Sequence, residues 1–447
     1  MEWFFLGLQY TIISIPFVIA VLLPLFLFYG AWSFYHRATA GVSSVIWVFV
    51  IETLIMIQPR LPLGVQLFLP DLLFLLIGAA GLLRLFSMRL QRHHYAWLIF
   101  GVVLFISFGL GVLQYGTQAG VEFRTFFYFW AGIWYLMTFQ MTTEQFDRIL
   151  QVYMVAASVM VVLALFRWTA MALGLDIVSY WNESGSSLRV FNAPQTFFLA
   201  QAFLIGLYAY LNKTGPIWWR TFLPILFVCI VMLQHRTVWV VTLASVAIIF
   251  LLSGKVRSKA ISTFVLAGVI GTAVLLPFVA GGQLDTVQKS LTHSVEEVGQ
   301  KDSTLAWRVE SWKILVEQWA YGGPVVNMIG NPFGAGFSRH IQLSQIELTQ
   351  NPHNHYVYAL LRVGLVGLLA MLVVYYMALR SMWKNRSQPT THLLDPKLLI
   401  ALVVGQLMYF ISYPAHYSQL LGLGLSLVLL GQYRREVVAP VAIKGAL

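Results

Sequence analysis

The sequence predicts an all-α fold, a polytopic integral membrane bundle of about twelve transmembrane helices. Of its 447 residues, 59% are hydrophobic and only 10% are charged, and apolar runs of bilayer-spanning length recur along the chain. The 28 Lys and Arg residues outnumber the 17 Asp and Glu residues, and most of the excess lies in short loops. Basic loops of this kind follow the positive-inside rule, so the charge indicates membrane lipids as partners and excludes nucleic acid.

The apolar runs set the positions of the predicted spans. They lie near residues 9–29, 41–57, 63–86, 96–114, 123–141, 150–173, 194–211, 217–234, 237–252, 260–280 and 355–379, with one or two more between 397 and 431. Two passes fit the last stretch only if it breaks near Ser412-Tyr413-Pro414. The prediction is one membrane domain: residues 1–280 hold ten spans, 281–354 form a large periplasmic loop with short amphipathic helices, and 355–447 hold the last spans and a cytoplasmic tail.

Basic loops fix the expected orientation, because they alternate onto one side that should be cytoplasmic. They contain His36-Arg37, then Arg84, Arg89 and Arg92, then Lys213 and Arg220, then Lys255, Arg257 and Lys259, and last Arg380, Lys384 and Arg386. Residues 217–252 are almost continuously apolar, yet a basic loop flanks each end. The chain must therefore cross twice and turn at Gln234-His235-Arg236-Thr237, which puts Arg236 at the outer surface.

Further cations fall in the predicted outer loops. Arg189 lies in a Gly- and Ser-containing loop over about 174–193, and Arg339 follows the glycine-rich stretch 330–337. An amphipathic helix is expected near 304–320, and Arg308 borders its apolar stripe. That stripe consists of Leu305, Val309, Trp312, Val316 and Trp319.

The stretch from Asn351 to Tyr356 opens a long apolar helix that runs to about Tyr376. Asn351 suits an N-cap and Pro352 the first helical position, so His353 and Asn354 are expected in the first turn. Free N–H groups there favour an anion and keep His353 mostly neutral at pH 7. At about 100° per residue, Gly364 and Gly367 fall within about 40° of the His353 face and leave a stripe for close helix approach.

These outer residues suit one kind of chemistry. Arginines fork onto pyrophosphate, and a neutral histidine takes a proton from a sugar hydroxyl. No Asp-x-Asp sequence or Cys/His cluster suggests a metal site, and the single cysteine, Cys229, lies in an apolar run. We therefore expect group transfer from a lipid-linked pyrophosphate that needs neither metal nor another cofactor. His355 points away from His353 and is expected to be structural.

The spacing His353-Asn354, nine residues, Gly364, two residues, Gly367 resembles the H-N-x9-G-x-x-G signature of O-antigen ligases. With the preceding Gly-Asn-Pro-Phe-Gly-Ala-Gly-Phe stretch at 330–337, about residues 180–380 resemble the O-antigen ligase and polymerase superfamily of GT-C-like membrane glycosyltransferases. The resemblance implies that Arg236 and Arg308 hold the phosphates of the donor. Val240 stands where the family's R-x3-L pattern has leucine.

The resemblance also implies an activity. An O-antigen ligase transfers O-antigen from undecaprenyl pyrophosphate to the lipid A core at the periplasmic face of the bacterial inner membrane, in lipopolysaccharide biosynthesis. We expect His353, Arg236 and Arg308 to be catalytic, and Arg189, Asn354 and Arg339 to bind substrate.

Two alternatives use the same donor. A polymerase differs only in the molecule that presents the attacking hydroxyl. A lipid-linked sugar transporter would use charges at membrane depth, for which Glu52 and Arg167 are candidates. The absence of evident repeated halves counts against transport.

Overall fold

The computed structural model describes residues 27–55, 68–173, 175, 189–253, 304–341, 346–387 and 395–443. These ranges are mostly helical, with one antiparallel two-stranded sheet. The helices are α1 Ala38–Ile55, α2 Leu69–Arg84, α3 Arg92–Tyr115, α4 Thr117–Met137, α5 Thr143–Ala172, α6 Ala193–Asn212, α7 Ile217–Met232, α8 Arg236–Ser253, α9 Thr304–Ala320, α10 Gly323–Ile329, α11 His355–Asn385, α12 Pro396–Tyr409 and α13 Leu420–Ile443. The strands are β1 Arg339–Ile341 and β2 Ile346–Leu348.

Several of these helices have the length and composition of membrane spans. Six qualify fully, namely α1, α2, α3, α5, α8 and α11, and α7 and α12 are apolar but shorter. The protein is thus a helical, multi-pass membrane protein, as predicted. The total of twelve spans stays a prediction, because the expected span 260–280 lies outside the described residues, as does 9–29 except at 27–29.

The apolar stretch between 397 and 431 forms two helices. Helix α12 ends at Tyr409 and α13 begins at Leu420. The sequence Ser412-Tyr413-Pro414 lies between them, where the break was expected, and a 3-10 turn at Tyr417–Gln419 follows. Proline explains the interruption, since it lacks the N–H group that a continuing helix needs.

Side-chain caps fix where two of the helices begin. At α5, Thr142 Oγ1 accepts from Gln145 N, and Gln145 Oε1 accepts from Thr142 N at 2.9 Å. At α6, Asn192 and Gln195 make the same reciprocal pair. Each pair satisfies N–H groups that have no partner within the helix, so the chain enters the bundle at a defined residue.

The two ends of the bundle differ in chemistry. At one end Arg84 donates to Tyr35 O at 2.7 Å and to Thr138 O, which ties the C-terminal ends of α2 and α4 together. The cation lies where helix carbonyl groups favour it. At the opposite end, the rings of Phe197 and Tyr409 stack with centroids 4.4 Å apart and join the start of α6 to the end of α12. The second end carries the candidate site, and we call it the site end.

The segment between α8 and α11 contains the expected amphipathic helix. Helix α9 covers Thr304–Ala320, as predicted, and α10 follows it and packs against α11. After the glycine-rich turn 330–337, β1 pairs with β2 so that Arg339 lies opposite Leu348. The segment thus returns to the start of α11.

Helix α11 breaks at Gly364, where an uninterrupted helix was expected. Gly364 has φ 59° and ψ −167°. A Cβ atom at this position would overlap the backbone of Met328 and Ile329, at the end of α10. The close approach expected at this glycine therefore exists, but it is made by a backbone segment at a helix break, and only glycine fits both the conformation and the space.

Candidate active site

His353 precedes the helix, which corrects the prediction that Asn351 caps it and Pro352 starts it. Helix α11 begins at His355, and Asn354 is its N-cap, with Oδ1 accepting from Tyr356 N at 3.0 Å and Val357 N at 3.1 Å. Asn351 Oδ1 accepts instead from His353 N at 3.1 Å, in a local turn. Both asparagines can cap, and the later one takes the role because its side chain reaches two N–H groups of the helix.

The backbone of His353 has φ +49°, a left-handed conformation that is uncommon for residues with a side chain. Non-glycine residues in this region cost energy and cluster at functional sites. Burial lowers the pKa of His353 to about 4, and the charges of Arg308 and Arg339 lower it further in the same direction. The histidine is therefore neutral at pH 7, as predicted, although burial and cations are the cause rather than a helix N-terminus.

Arg308 lies beside His353, on the inward face of α9. Its guanidinium carbon is 6.0 Å from the Tyr413 ring, and among the described residues its Nε has no hydrogen-bond partner. Trp312 Nε1 donates to Pro352 O at 2.6 Å and holds α9 against the chain just before His353. The half-buried guanidinium of Arg308 is thus held beside the neutral His353, and its Nε can donate a hydrogen bond to a ligand.

The buried face of α9 differs from the predicted stripe. Val309, expected to be buried, is 51% exposed, whereas Ser311 and Leu315 are almost fully buried. The helix is turned by roughly 60° from the orientation that its apolar residues predict. The partner explains the turn, because Ser311 Oγ accepts from Arg339 Nε. As a result, Arg308 lies near the middle of the inward face and not at its border.

Arg339, expected to bind substrate, is buried beneath this cluster. Its Nη1 donates to Phe337 O at 2.7 Å and to Gln350 O at 2.8 Å. Only 3% of the residue is exposed, and burial lowers its pKa. In this structure Arg339 binds the protein's own backbone and α9, and its role toward substrate stays a prediction.

Arg236 and Arg189 lie together in a second part of the site end. Helix α7 ends at Met232 and α8 begins at Arg236, so the chain turns where the sequence predicted. His235 Nε2 lies 2.8 Å from Phe191 O, which holds the segment carrying Arg189 against this turn. Burial lowers the pKa of His235 to about 4, and the charge of Arg189 adds to the effect.

The packing of α8 on α12 relates these arginines to His353. Ser245 Oγ donates to Ala401 O at 3.2 Å, and Gly405 packs near Val241, so the two helices run antiparallel. When the same antiparallel register is continued for a little over one helical turn beyond Gly405, Arg236 lies at the level of Phe410. Phe410 O accepts from His355 N at 2.8 Å, at the start of α11. Arg236, Arg308 and His353 therefore share the site end.

Two charged residues near the site were not identified from the sequence. Glu122 on α4 accepts from Gly334 N at 3.1 Å and Gly336 N at 3.3 Å, and pairs with Arg362 Nε at 2.8 Å. The turn 330–337 thus gives these two N–H groups to a carboxylate of the same chain. The available signal was a charge in a mostly apolar helix, which for Glu122 lies near the helix start, where a surface position is the ordinary explanation.

Glu52 and Arg167, the two charged residues that suggested transport, make hydrogen bonds within the bundle. Tyr417 donates its hydroxyl to Glu52 Oε2. Arg167 is fully buried and donates to Val190 O at 2.9 Å and to Thr53 O. Both charged side chains thus have hydrogen-bond partners inside the bundle.

Comparison with known families places this site in context. Residues 221–372 match a family model described as O-Antigen ligase, and the matched segment includes Arg236, Arg308, Arg339, His353 and Arg362. A comparison with curated proteins gives no match. The match over residues 221–372 thus supports membership of the O-antigen ligase family.

Proposed function

We propose that the protein is an O-antigen ligase. It transfers O-antigen polysaccharide from undecaprenyl pyrophosphate to a sugar hydroxyl of the lipid A core, at the periplasmic face of the inner membrane and without a metal. The observation that carries this proposal is that Arg236, Arg308 and a neutral His353 lie at the same end of the bundle. The arginines supply hydrogen-bond donors for the phosphates, and the histidine supplies a proton acceptor. Such a transfer needs both functions.

The arginines act on the leaving group. Arg236 and Arg308 bind the pyrophosphate, with Arg189 next to Arg236 as a further contact. When the bond between sugar C1 and the phosphate oxygen breaks, negative charge grows on that oxygen, and cations held in place stabilise it without reorganising. Each charge-assisted hydrogen bond contributes about 1.5–3 kcal/mol.

His353 acts on the acceptor. The acceptor oxygen attacks C1 from the side opposite the leaving group, its proton passes to His353, and undecaprenyl pyrophosphate departs, so the anomeric centre is inverted. General-base help of this kind is typically worth about 10²–10⁴ in rate. An anion bound beside Arg308 offsets the positive charge that lowers the pKa of His353, so donor binding strengthens the base.

A second role for His353 is phosphate binding, with no side chain acting as base. A histidine with a pKa of about 4 carries little positive charge at pH 7, which favours the base over the phosphate ligand. Kinetics separate the two roles. Loss of a base lowers kcat, whereas loss of a phosphate ligand raises KM for the donor.

The test is a transfer assay in liposomes with undecaprenyl-pyrophosphate-linked O-antigen and lipid A core, with EDTA present. His353→Ala and Arg236→Ala are compared with two matched controls. His340→Ala removes an exposed histidine from β1, and Arg386→Ala removes an arginine that lies over the Trp383 ring at the C-terminal end of α11. We expect glycan on lipid A core from the wild type and both controls, and none from the two site variants.

Each other outcome overturns part of the proposal. Longer lipid-linked chains with lipid A core unmodified identify a polymerase, whose acceptor is a second lipid-linked glycan. Dependence of transfer on a metal removed by EDTA contradicts the metal-free mechanism. Movement of the donor across the bilayer without any transfer identifies a transporter.

A further inference from the structure

Glu122 and Arg362 hold the glycine-rich turn from both sides. The carboxylate of Glu122 accepts both N–H groups of the turn, from Gly334 and Gly336, while Arg362 Nη2 donates to Gly336 O at 2.7 Å. The side chains of this ion pair are 14% and 1% exposed. A charge this deeply buried is stable only when it is paired and hydrogen-bonded, so the pair and the turn depend on each other.

The turn itself has little freedom to move. Gly334 has φ +92°, and a Cβ atom there would contact Tyr115 and, at 3.0 Å, Ala119 N at the start of α4. Beyond Gly336, the ring of Phe337 lies under the guanidinium of Arg362, with 4.2 Å between the charged carbon and the ring centroid. The turn is therefore enclosed by α3, α4 and α11.

The restraint passes from this turn to the site through Arg339. Phe337 O, next to the turn, accepts from Arg339 Nη1, which also donates to Gln350 O. Arg339 Nε donates to Ser311, one turn after Arg308 on α9. Gln350 lies three residues before His353. One guanidinium thus links the turn to the two segments that carry Arg308 and His353.

We propose that Glu122 and Arg362 are positioning residues, which set the placement of Arg308 and His353 by holding the turn that leads to Arg339. In this role they act through the turn and not on the substrates. The inference has two parts. The mechanical part, that the ion pair restrains the turn and the segments joined to it, stands on the contacts alone. The catalytic part, that this restraint supports glycan transfer, rests on the proposed transferase function.

The mechanical part is tested by hydrogen exchange, followed by mass spectrometry, on the full chain in detergent. Glu122→Leu/Arg362→Met removes both charges together, so no unpaired buried charge prevents folding. Asp71→Leu/Arg124→Met is the matched control, because it removes an ion pair of 3.0 Å on the same helix α4, with partners in α2 rather than in the turn. Glu122→Gln/Arg362→Met keeps one acceptor oxygen for the turn.

We expect the amides of 334–341 and 350–354 to exchange at least about tenfold faster in the Leu/Met variant, to an intermediate degree in the Gln/Met variant, and as in the wild type in the control. Equal exchange in the Leu/Met variant and the wild type overturns the proposal. So does equal loosening of these segments in the control, since that indicates general destabilisation.

The catalytic part adds two readouts. In the transfer assay the Leu/Met variant is expected to lose about 10²-fold in kcat, because His353 is misplaced. KM for the donor should rise by a smaller factor, because Arg308 is misplaced while Arg236 stays in place. The exchange rate at His353 C2, measured against pH, should show its pKa rising from about 4 toward the ordinary value, because Arg339 and burial no longer depress it. If the wild type transfers no glycan, the proposed function fails, and the two exchange measurements still decide whether the turn is anchored as we infer.

Discussion

Two buried charges, Arg167 and Glu122, anchor two regions of the site end by opposite means. Arg167 donates to the carbonyl groups of Thr53 and Val190 and lies 5.2 Å over the ring of Phe191, whose own carbonyl contacts His235 next to Arg236. Glu122 accepts N–H groups from the turn that leads to Arg339. We call the region around Arg189 and Arg236 the arginine region, and the region around Arg308, Arg339 and His353 the histidine region.

The two residues differ in which buried groups lose their hydrogen-bond partner when the residue is substituted. Loss of Arg167 leaves neutral carbonyl groups unsatisfied, whereas loss of Glu122 leaves the charged Arg362 buried. An unpaired buried charge costs more than unpaired neutral groups. The two regions therefore respond differently to substitution, in stability and in catalysis.

The largest effect is expected for Glu122→Ala. With Arg362 left unpaired, the free energy of unfolding should fall by about 3–5 kcal/mol. Denaturant unfolding in detergent measures it. Glu317→Ala is the control, because Glu317 is 55% exposed and pairs with Lys313 at only 4.0 Å, so its loss should cost less than about 1 kcal/mol. Equal stability of the two variants would contradict the role of the buried pair.

Arg167→Met should cost less, about 1–3 kcal/mol, because the carbonyl groups of Thr53 and Val190 that lose their donor are neutral. Its kinetic effect should fall on the arginine region. When the segment carrying Arg189 loosens beside His235, KM for the lipid-linked donor rises while kcat changes less. Steady-state kinetics at varied donor concentration check this. A fall in kcat with unchanged KM would show that the two regions are not separable.

The pH dependence distinguishes the regions through one histidine in each. His353 and His235 both have a pKa of about 4. A base must be neutral, so kcat/KM should hold at neutral pH and fall as the pH drops through about 4. Arg308→Met removes a charge that lowers the pKa of His353, so this fall should move to higher pH. His235→Asn should leave it where it is, and its disappearance in that variant would assign the titration to the arginine region.

The smallest effect is expected at Asn354, whose side chain caps α11. Asn354→Ala should cost about 1 kcal/mol, and Asn354→Ser should restore most of it, since serine also caps well. If Asn354 only caps, the transfer rate of the serine variant also recovers. A stable serine variant that stays inactive would support the substrate contact that the sequence predicted.

Parts of this fold follow from local sequence. The turn at 234–237, the helix at 304–320 and the break near Pro414 each depend on a few adjacent residues, and the structure has all three. Local rules could not choose between Asn351 and Asn354 as the cap of α11. Both satisfy the same preference, and only the bonds that Asn354 makes decide between them.

The anchors of the site depend on distant partners. Glu122 meets Arg362 across 240 positions of sequence, and without that partner a carboxylate near a helix end has an ordinary surface explanation. The predicted orientation of α9 is wrong for the same reason, since Ser311 faces inward and accepts a hydrogen bond from Arg339. Periodicity weighs apolar residues and cannot anticipate one buried polar pair.

The break at Gly364 has a consequence for protein engineering. It separates residues 355–363 from the remainder of α11, and these nine residues touch α10, the turn 330–337 and Phe410. They therefore belong with the segment that carries α9, α10 and the turn 330–337, and should be exchanged together with it, although the sequence joins them to a membrane helix. A chimera between a ligase and a polymerase should be joined at Gly364, because a junction at His355 separates this segment from the nine residues that pack against it.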